Sequence, residues 1–90
     1  MVRVELFPDL SHCVQTQAKK EHSETMKKLL AAEGQSEELE ERLELLRLFL
    51  EEADFKDLRR ESEKHLAQGR QVKFTVYLED GRPRWDLQAL

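Results

Sequence analysis

The stretch from Gln35 to Phe55, QSEELEERLELLRLFLEEADF, decides how the rest of the chain is interpreted. Its leucines recur at alternating spacings of four and three residues, which is the period of an α-helix with one apolar face. Ser36 precedes two glutamates, and a serine N-cap followed by acidic residues is typical of a helix start. We therefore predict a leucine-rich helix over residues 36–53.

Further apolar side chains lie off the main stripe of this helix. They are Leu45, Leu48 and Phe49, and with them more than half of the helix circumference is apolar. A helix that is apolar nearly all round is buried on two sides. The chain's own sheet can cover one side, and we predict that a second copy of the chain covers the other. The predicted interface comprises Leu39, Leu43, Leu45, Leu46, Leu48, Phe49 and Leu50.

The residues before this helix predict a second helix over about 11–33, with a weakly apolar face. Gly34 follows it, and glycine is common just past a helix end because it adopts a left-handed backbone conformation at little cost. A connection this short joins antiparallel neighbours. The two helices are therefore predicted to form a helical hairpin.

The apolar stripe changes direction after residue 53, where Asp54 could cap a new helix. Neither proline nor glycine interrupts the chain here, so two alternatives stay open. We favour a kink or a short interruption near 53–54 over one straight helix. Gly69 ends the helical region in both cases.

Residues 71–79 alternate between apolar and polar side chains, which predicts a half-buried strand. The Asp-Gly pair at 80–81 is typical of a two-residue hairpin turn. This turn pairs residue 76 with Trp85 and residue 74 with Leu87, so both are predicted to face the core. Pro83 predicts that the last strand is an edge strand.

Residues 2–6 also alternate, and they predict a first strand beside 71–79. The predicted order is β-α-α(-α)-β-β. We therefore predict one α+β domain over residues 1–90, with two layers. A helical hairpin, with a third helix where the chain breaks near 54, packs on a small three-stranded antiparallel sheet.

Size and composition limit the classes of protein to which the chain can belong. Ninety residues bury only about two thirds of their unfolded surface, so a partner subunit would add stability. The single cysteine, Cys13, excludes an internal disulfide and suits a reducing compartment. The N-terminus has no apolar signal region, and no apolar run is long enough for a membrane span. We expect a cytoplasmic protein without membrane contact.

Charge is distributed unevenly along the chain. Residues 36–52 carry seven glutamates against two arginines, whereas residues 59–84 carry seven basic against four acidic side chains. A predicted basic face comprises Arg59, Arg60, Lys73, Tyr77, Arg82 and Arg84. Cations with an aromatic side chain on a sheet can bind single-stranded nucleic acid. With one aromatic residue and several acids nearby, nucleic-acid binding is an alternative here and not the first hypothesis.

Motifs for catalysis and for cofactor binding are not found, so we predict no catalytic residue, no cofactor and no metal site. His12 and Cys13 are adjacent in sequence and therefore diverge by about 100° on a helix. His22 is expected to pack on the apolar face of the first helix. A small-molecule or metal-binding regulatory domain around these three residues is the remaining alternative.

The first hypothesis is a non-catalytic interaction or oligomerisation module. Its predicted form is a homodimer held by the leucine-rich helix 36–53, with an unidentified protein as a possible further partner. The apolar excess of that helix, in a chain too small to bury it, is the reason for this hypothesis.

Overall fold

The computed structural model describes residues 2–90, and it contains three helices on one face of a three-stranded sheet. The elements are β1 (Arg3–Leu6), α1 (Val14–Ala31), α2 (Glu37–Glu52), α3 (Phe55–Leu66), β2 (Val72–Glu79) and β3 (Arg82–Ala89). The strand order is β1-β2-β3, and both pairings are antiparallel. The predicted α+β class and element order are confirmed.

The β2–β3 turn has the predicted register. Asp80 and Gly81 have φ angles of 54° and 75°, as a type I′ turn requires. Val76 pairs with Trp85, as predicted. The bond that closes such a turn joins Glu79 to Arg82. Since hydrogen-bonded pairs alternate along the ladder, the nitrogen of the next residue, Pro83, faces the free edge, where no donor is needed.

The helical region breaks at Ala53, whose ψ of 139° is extended. Asp54 then caps α3, because its carboxylate accepts a hydrogen bond from the Asp57 N–H at 3.3 Å. The interrupted helix is therefore the correct one of the two alternatives. The break matters for packing, since it turns Phe55 toward Phe49, and their ring centroids lie 5.2 Å apart.

Helix α1 begins later than the predicted residue 11. Asp9 accepts hydrogen bonds from the N–H groups of Ser11 and His12 at 2.8 and 2.7 Å, so its carboxylate stabilises a turn ahead of the helix. Cys13 occupies the N-cap position without a side-chain capping bond to the backbone. At the other end Glu33, together with the following glycine, adopts a positive φ and ends the helix.

The hydrophobic core lies between the sheet and the near halves of the helices. Its fully buried apolar residues are Val4, Leu6, Val14, Ala18, Leu45, Leu46, Phe49, Val72, Phe74 and Val76. Phe49 lies near the centre, with its ring also edge-on to Trp85 at 5.3 Å. We call this packed part of the molecule, residues 2–21 and 44–90, the base.

The rest of the hairpin extends away from the core. In α1 no apolar residue after Ala18 is fully buried, and in α2 none before Leu45 is. The longest dimension is 44 Å, and the radius of gyration is 13.5 Å, against about 12 Å for a compact domain of this length. The accessible surface is 6113 Å², against about 5,500 Å² expected from the mass. We call the projecting part, residues 22–43, the arm.

Candidate interaction surface

The seven predicted interface residues, all on α2, fall into two groups by burial. Leu45, Leu46 and Phe49 are fully buried in the chain's own core, and Leu50 packs against that core. These side chains are covered by the sheet and the neighbouring helices, so they offer little surface to another molecule. The remaining three, Leu39, Leu43 and Leu48, are half-buried and lie outside the core cluster. On α2, the structure thus leaves only these three leucines as candidate interface residues.

The arm adds apolar side chains from α1 to this surface. Met26 and Leu30 are 38% and 70% exposed, and a spacing of four residues places them on one stripe of the helix. Because α1 and α2 are antiparallel, this stripe lies at the same level along the hairpin as Leu39 and Leu43. The four side chains are the apolar part of the candidate surface.

The exposed pair on α1 is not among the predicted interface residues. The weakly apolar face predicted for α1 does not separate positions that are buried, such as Ala18, from positions that are exposed, such as Leu30. On a helix, Leu30 lies about 120° from Ala18, which is too far to share a buried face. This angular separation is the sequence signal that could have identified Leu30 as exposed.

Few polar contacts hold the arm together. Arg42 of α2 donates to Glu21, at the foot of α1, with 2.9 Å between Nη2 and Oε2. Thr25 is buried between the helices, and its hydroxyl donates to the Glu21 backbone carbonyl at 2.7 Å. Ser36 caps α2 by accepting from the Leu39 N–H at 3.2 Å. These bonds fix the hairpin locally, while Met26 and Leu30 stay exposed and Leu39 and Leu43 stay half-buried.

The predicted basic face is split between two sides of the molecule. Arg59 and Arg60 lie on α3, where they form ion pairs with Glu63 and Asp57. The other four members, Lys73, Tyr77, Arg82 and Arg84, lie on the sheet face opposite the helices. The structure therefore does not bring the two arginines of α3 together with the strand residues.

The outer sheet face gains one residue that was not predicted. Arg3 of β1 pairs in register with Tyr77, and Tyr77 pairs with Arg84, so a tyrosine lies between two arginines across the sheet. The next row carries Glu5 and Asp86. A shallow hollow of about 440 Å³ crosses these rows. The face combines one cationic and one acidic row, so its net charge is small.

Cys13 lies beside a cleft of about 210 Å³ between the start of α1 and α3. The Thr16 hydroxyl lies 3.4 Å from its sulfur and lowers the pKa of the thiol, and nearby backbone N–H groups and Arg59 act in the same direction. His12 lies near Asp9, with 3.5 Å between Nδ1 and the carboxylate, and His22 is half-buried farther along α1. Within residues 2–90, no three His, Cys, Asp or Glu side chains converge where they could hold a metal ion.

The fold and this surface define a small two-layer α+β domain with a projecting helical arm. In the described part of the chain, every helix is too short or too polar to cross a membrane. The chain belongs to a protein family whose model matches residues 2–84 and whose description states no activity. Comparison with the curated proteins and with the solved structures finds no match.

Proposed function

We propose that the protein is a non-catalytic interaction module that forms a homodimer through the leucine-rich helix α2 and the adjoining part of α1. The observation that supports this most directly is the arm, where Leu30, Leu39 and Leu43 are exposed or half-buried outside the core. Isolated helical hairpins are marginally stable in water because their apolar faces need a covering layer. At the base the sheet is that layer, and at the arm a second copy supplies it.

The size of the exposed surface is consistent with a modest self-association. Burying Leu30 contributes roughly 1–2 kcal/mol per copy, since a fully buried leucine contributes about 1.5–3 kcal/mol. A symmetric dimer uses each such contact twice. Several leucines together can therefore offset the loss of rotational and translational freedom on association.

The test compares two leucines of equal exposure at different places. Leu30 in the arm is 70% exposed and Leu10 in the loop before α1 is 71% exposed. Sedimentation velocity on the wild-type chain should give a concentration-dependent dimer. Leu30→Glu should weaken that dimer by at least about tenfold, because each copy loses an apolar contact and gains a buried charge. Leu10→Glu should leave it unchanged.

A wild-type chain that sediments as a folded monomer up to roughly 100 µM, where mass action favours even a weak dimer, would refute the homodimer. Equal losses in the two variants would refute the placement in the arm. Helix content by circular dichroism is the check that both variants fold, and the high exposure of both positions makes unfolding an unexpected outcome.

The outer sheet face favours a second candidate function, binding of single-stranded nucleic acid. Its basis is the row in which Tyr77 lies between Arg3 and Arg84 on an open face. A base can stack on the tyrosine ring while the guanidinium groups contact phosphates. Oligonucleotide binding at low salt that weakens with added salt and is lost in Tyr77→Ala supports this function, and no binding at low salt removes it.

A further inference from the structure

The two helices of the arm carry opposite net charges. In the arm, residues 22–31 of α1 carry two lysines against one glutamate, whereas residues 37–43 of α2 carry four glutamates against one arginine. The net charges of the two arm segments are therefore +1 and −3. Such a division restricts how two hairpins can lie side by side, because like-charged helices repel one another and unlike helices attract.

Contacts within one chain leave most of these charges unpaired. The ion pair between the helices joins Glu21 of α1 to Arg42 of α2, so each helix contributes its minority charge. Arg47 forms ion pairs with two glutamates of its own helix, Glu44 and Glu51. No lysine of α1 forms an ion pair with another residue in the range 2–90. Five glutamates of α2 likewise form no ion pair within this range, namely Glu37, Glu38, Glu40, Glu41 and Glu52.

From this charge pattern we infer that α1 of one copy lies against α2 of the second copy, and that α2 does not lie against α2. The inference rests on the proposed homodimer and specifies which helices meet in it. A two-fold axis makes the α1–α2 contact twice, so the four helices form a bundle in which basic and acidic helices alternate. The alternative places two helix segments of net charge −3 side by side.

The apolar side chains of the arm fit the same arrangement. Met26 and Leu30 of one copy cover Leu39 and Leu43 of the other, and the flanking Lys27 and its neighbour Lys28 meet the acidic residues at the start of α2. Each copy then has a covered leucine pair on α2 and a partner for its free lysines. The sheet and the base take no part in the contact.

The sign of the salt dependence tests the arrangement on the unmodified chain. With α1 against α2 of the partner, the dimer dissociation constant should rise several-fold between about 0.02 M and about 0.5 M NaCl, because salt screens the attraction. With α2 against α2, it should fall, because salt screens a repulsion. An unchanged or falling constant overturns the inference while leaving the homodimer itself in place.

Charge exchange between two variants provides the second test. Lys27→Glu with Lys28→Glu makes the arm of α1 acidic, and Glu40→Lys with Glu41→Lys makes the start of α2 basic. Each variant alone should dimerise at least about tenfold more weakly than the wild type. An equimolar mixture should recover a heterodimer within a few-fold of the wild-type affinity, since both of its contacts again join opposite charges.

Three results are distinguishable in this experiment. A wild-type monomer refutes the proposed function itself. Wild-type affinity in the Lys27/Lys28 variant, or no recovery on mixing, refutes the α1–α2 contact and leaves the homodimer standing. Where circular dichroism shows lost helix content, the single variants Lys27→Glu and Glu40→Lys replace the doubles, and the same recovery on mixing is required of them.

Discussion

The base and the arm are built from the same helices, yet they differ in what covers their leucines. In the base, Leu45 and Leu46 of α2 are fully buried beneath the sheet and its neighbours. In the arm, Leu39 and Leu43 of the same helix lie outside the core. The sequence pattern is continuous across the boundary. The difference shows that an apolar helix face is folded into a core only as far as a second layer of the same chain extends.

The largest expected effect is a difference in the free energy of unfolding between a substitution in the base and one in the arm. Phe49→Ala should lower the free energy of unfolding by about 3–5 kcal/mol, because the ring is fully buried and contacts two other aromatic rings. Leu43→Ala should cost less than about 1 kcal/mol, because the side chain is half-exposed. Urea unfolding at a concentration where the monomer dominates measures both. Equal losses would show that the arm is part of the core.

The helix caps extend this comparison to effects of intermediate size. Asp54→Ala removes the cap of α3 in the base and should lower the free energy of unfolding by about 1 kcal/mol. Ser36→Ala removes the cap of α2 at the tip of the arm, where fraying is local. We expect faster amide hydrogen exchange in residues 37–41 with little change in global unfolding. A global loss as large as that of Asp54→Ala would contradict this independence.

A smaller effect is expected from the ion pair between the helices of the hairpin. Glu21 and Arg42 are partly exposed, at 29% and 31%, so solvent screens their attraction. A double-mutant cycle with Glu21→Ala and Arg42→Ala should give a coupling energy of about 0.2–1 kcal/mol that decreases with salt. A larger coupling would mean that this pair, rather than apolar packing, holds the hairpin closed.

The smallest expected effect on stability comes from Thr16, which instead sets the reactivity of a thiol in the base. Thr16 hydrogen-bonds to the half-buried Cys13 and lowers the pKa of its thiol, so the thiolate forms at a lower pH than in an ordinary cysteine. In Thr16→Val the midpoint of the alkylation rate against pH should rise. The free energy of unfolding should stay nearly constant, because Thr16 is exposed. Ser23→Ala, farther along α1, is the matched control and should leave the midpoint unchanged.

Much of the fold could be predicted because its signals are local. Alternation in residues 71–79 and the Asp-Gly turn determine the β2–β3 register without reference to the rest of the chain. Asp54 likewise indicates the start of α3, since a cap satisfies N–H groups within its own first turn. The late start of α1 was missed because Asp9 can bond to the backbone of a turn as well as to that of a helix.

The candidate surface was predicted less completely, because exposure depends on elements distant in sequence. Leu43 and Leu46 belong to the same apolar stripe of α2, and only the position of the sheet separates the buried Leu46 from the half-buried Leu43. The basic face was divided for the same reason. A short connection, residues 67–71, joins α3 to β2, but Arg59 lies in the helix layer and Lys73 lies on the opposite face of the sheet.

The sequence by itself determined the α+β class, the order of the elements, the hairpin turn and the opposite charges of α1 and α2. These follow from periodicity, turn chemistry and composition, which act over a few neighbouring residues. Only the tertiary structure decided where α2 leaves the sheet and becomes the arm. That boundary depends on the limited length of three short strands, which can cover the near half of a helical hairpin and no more.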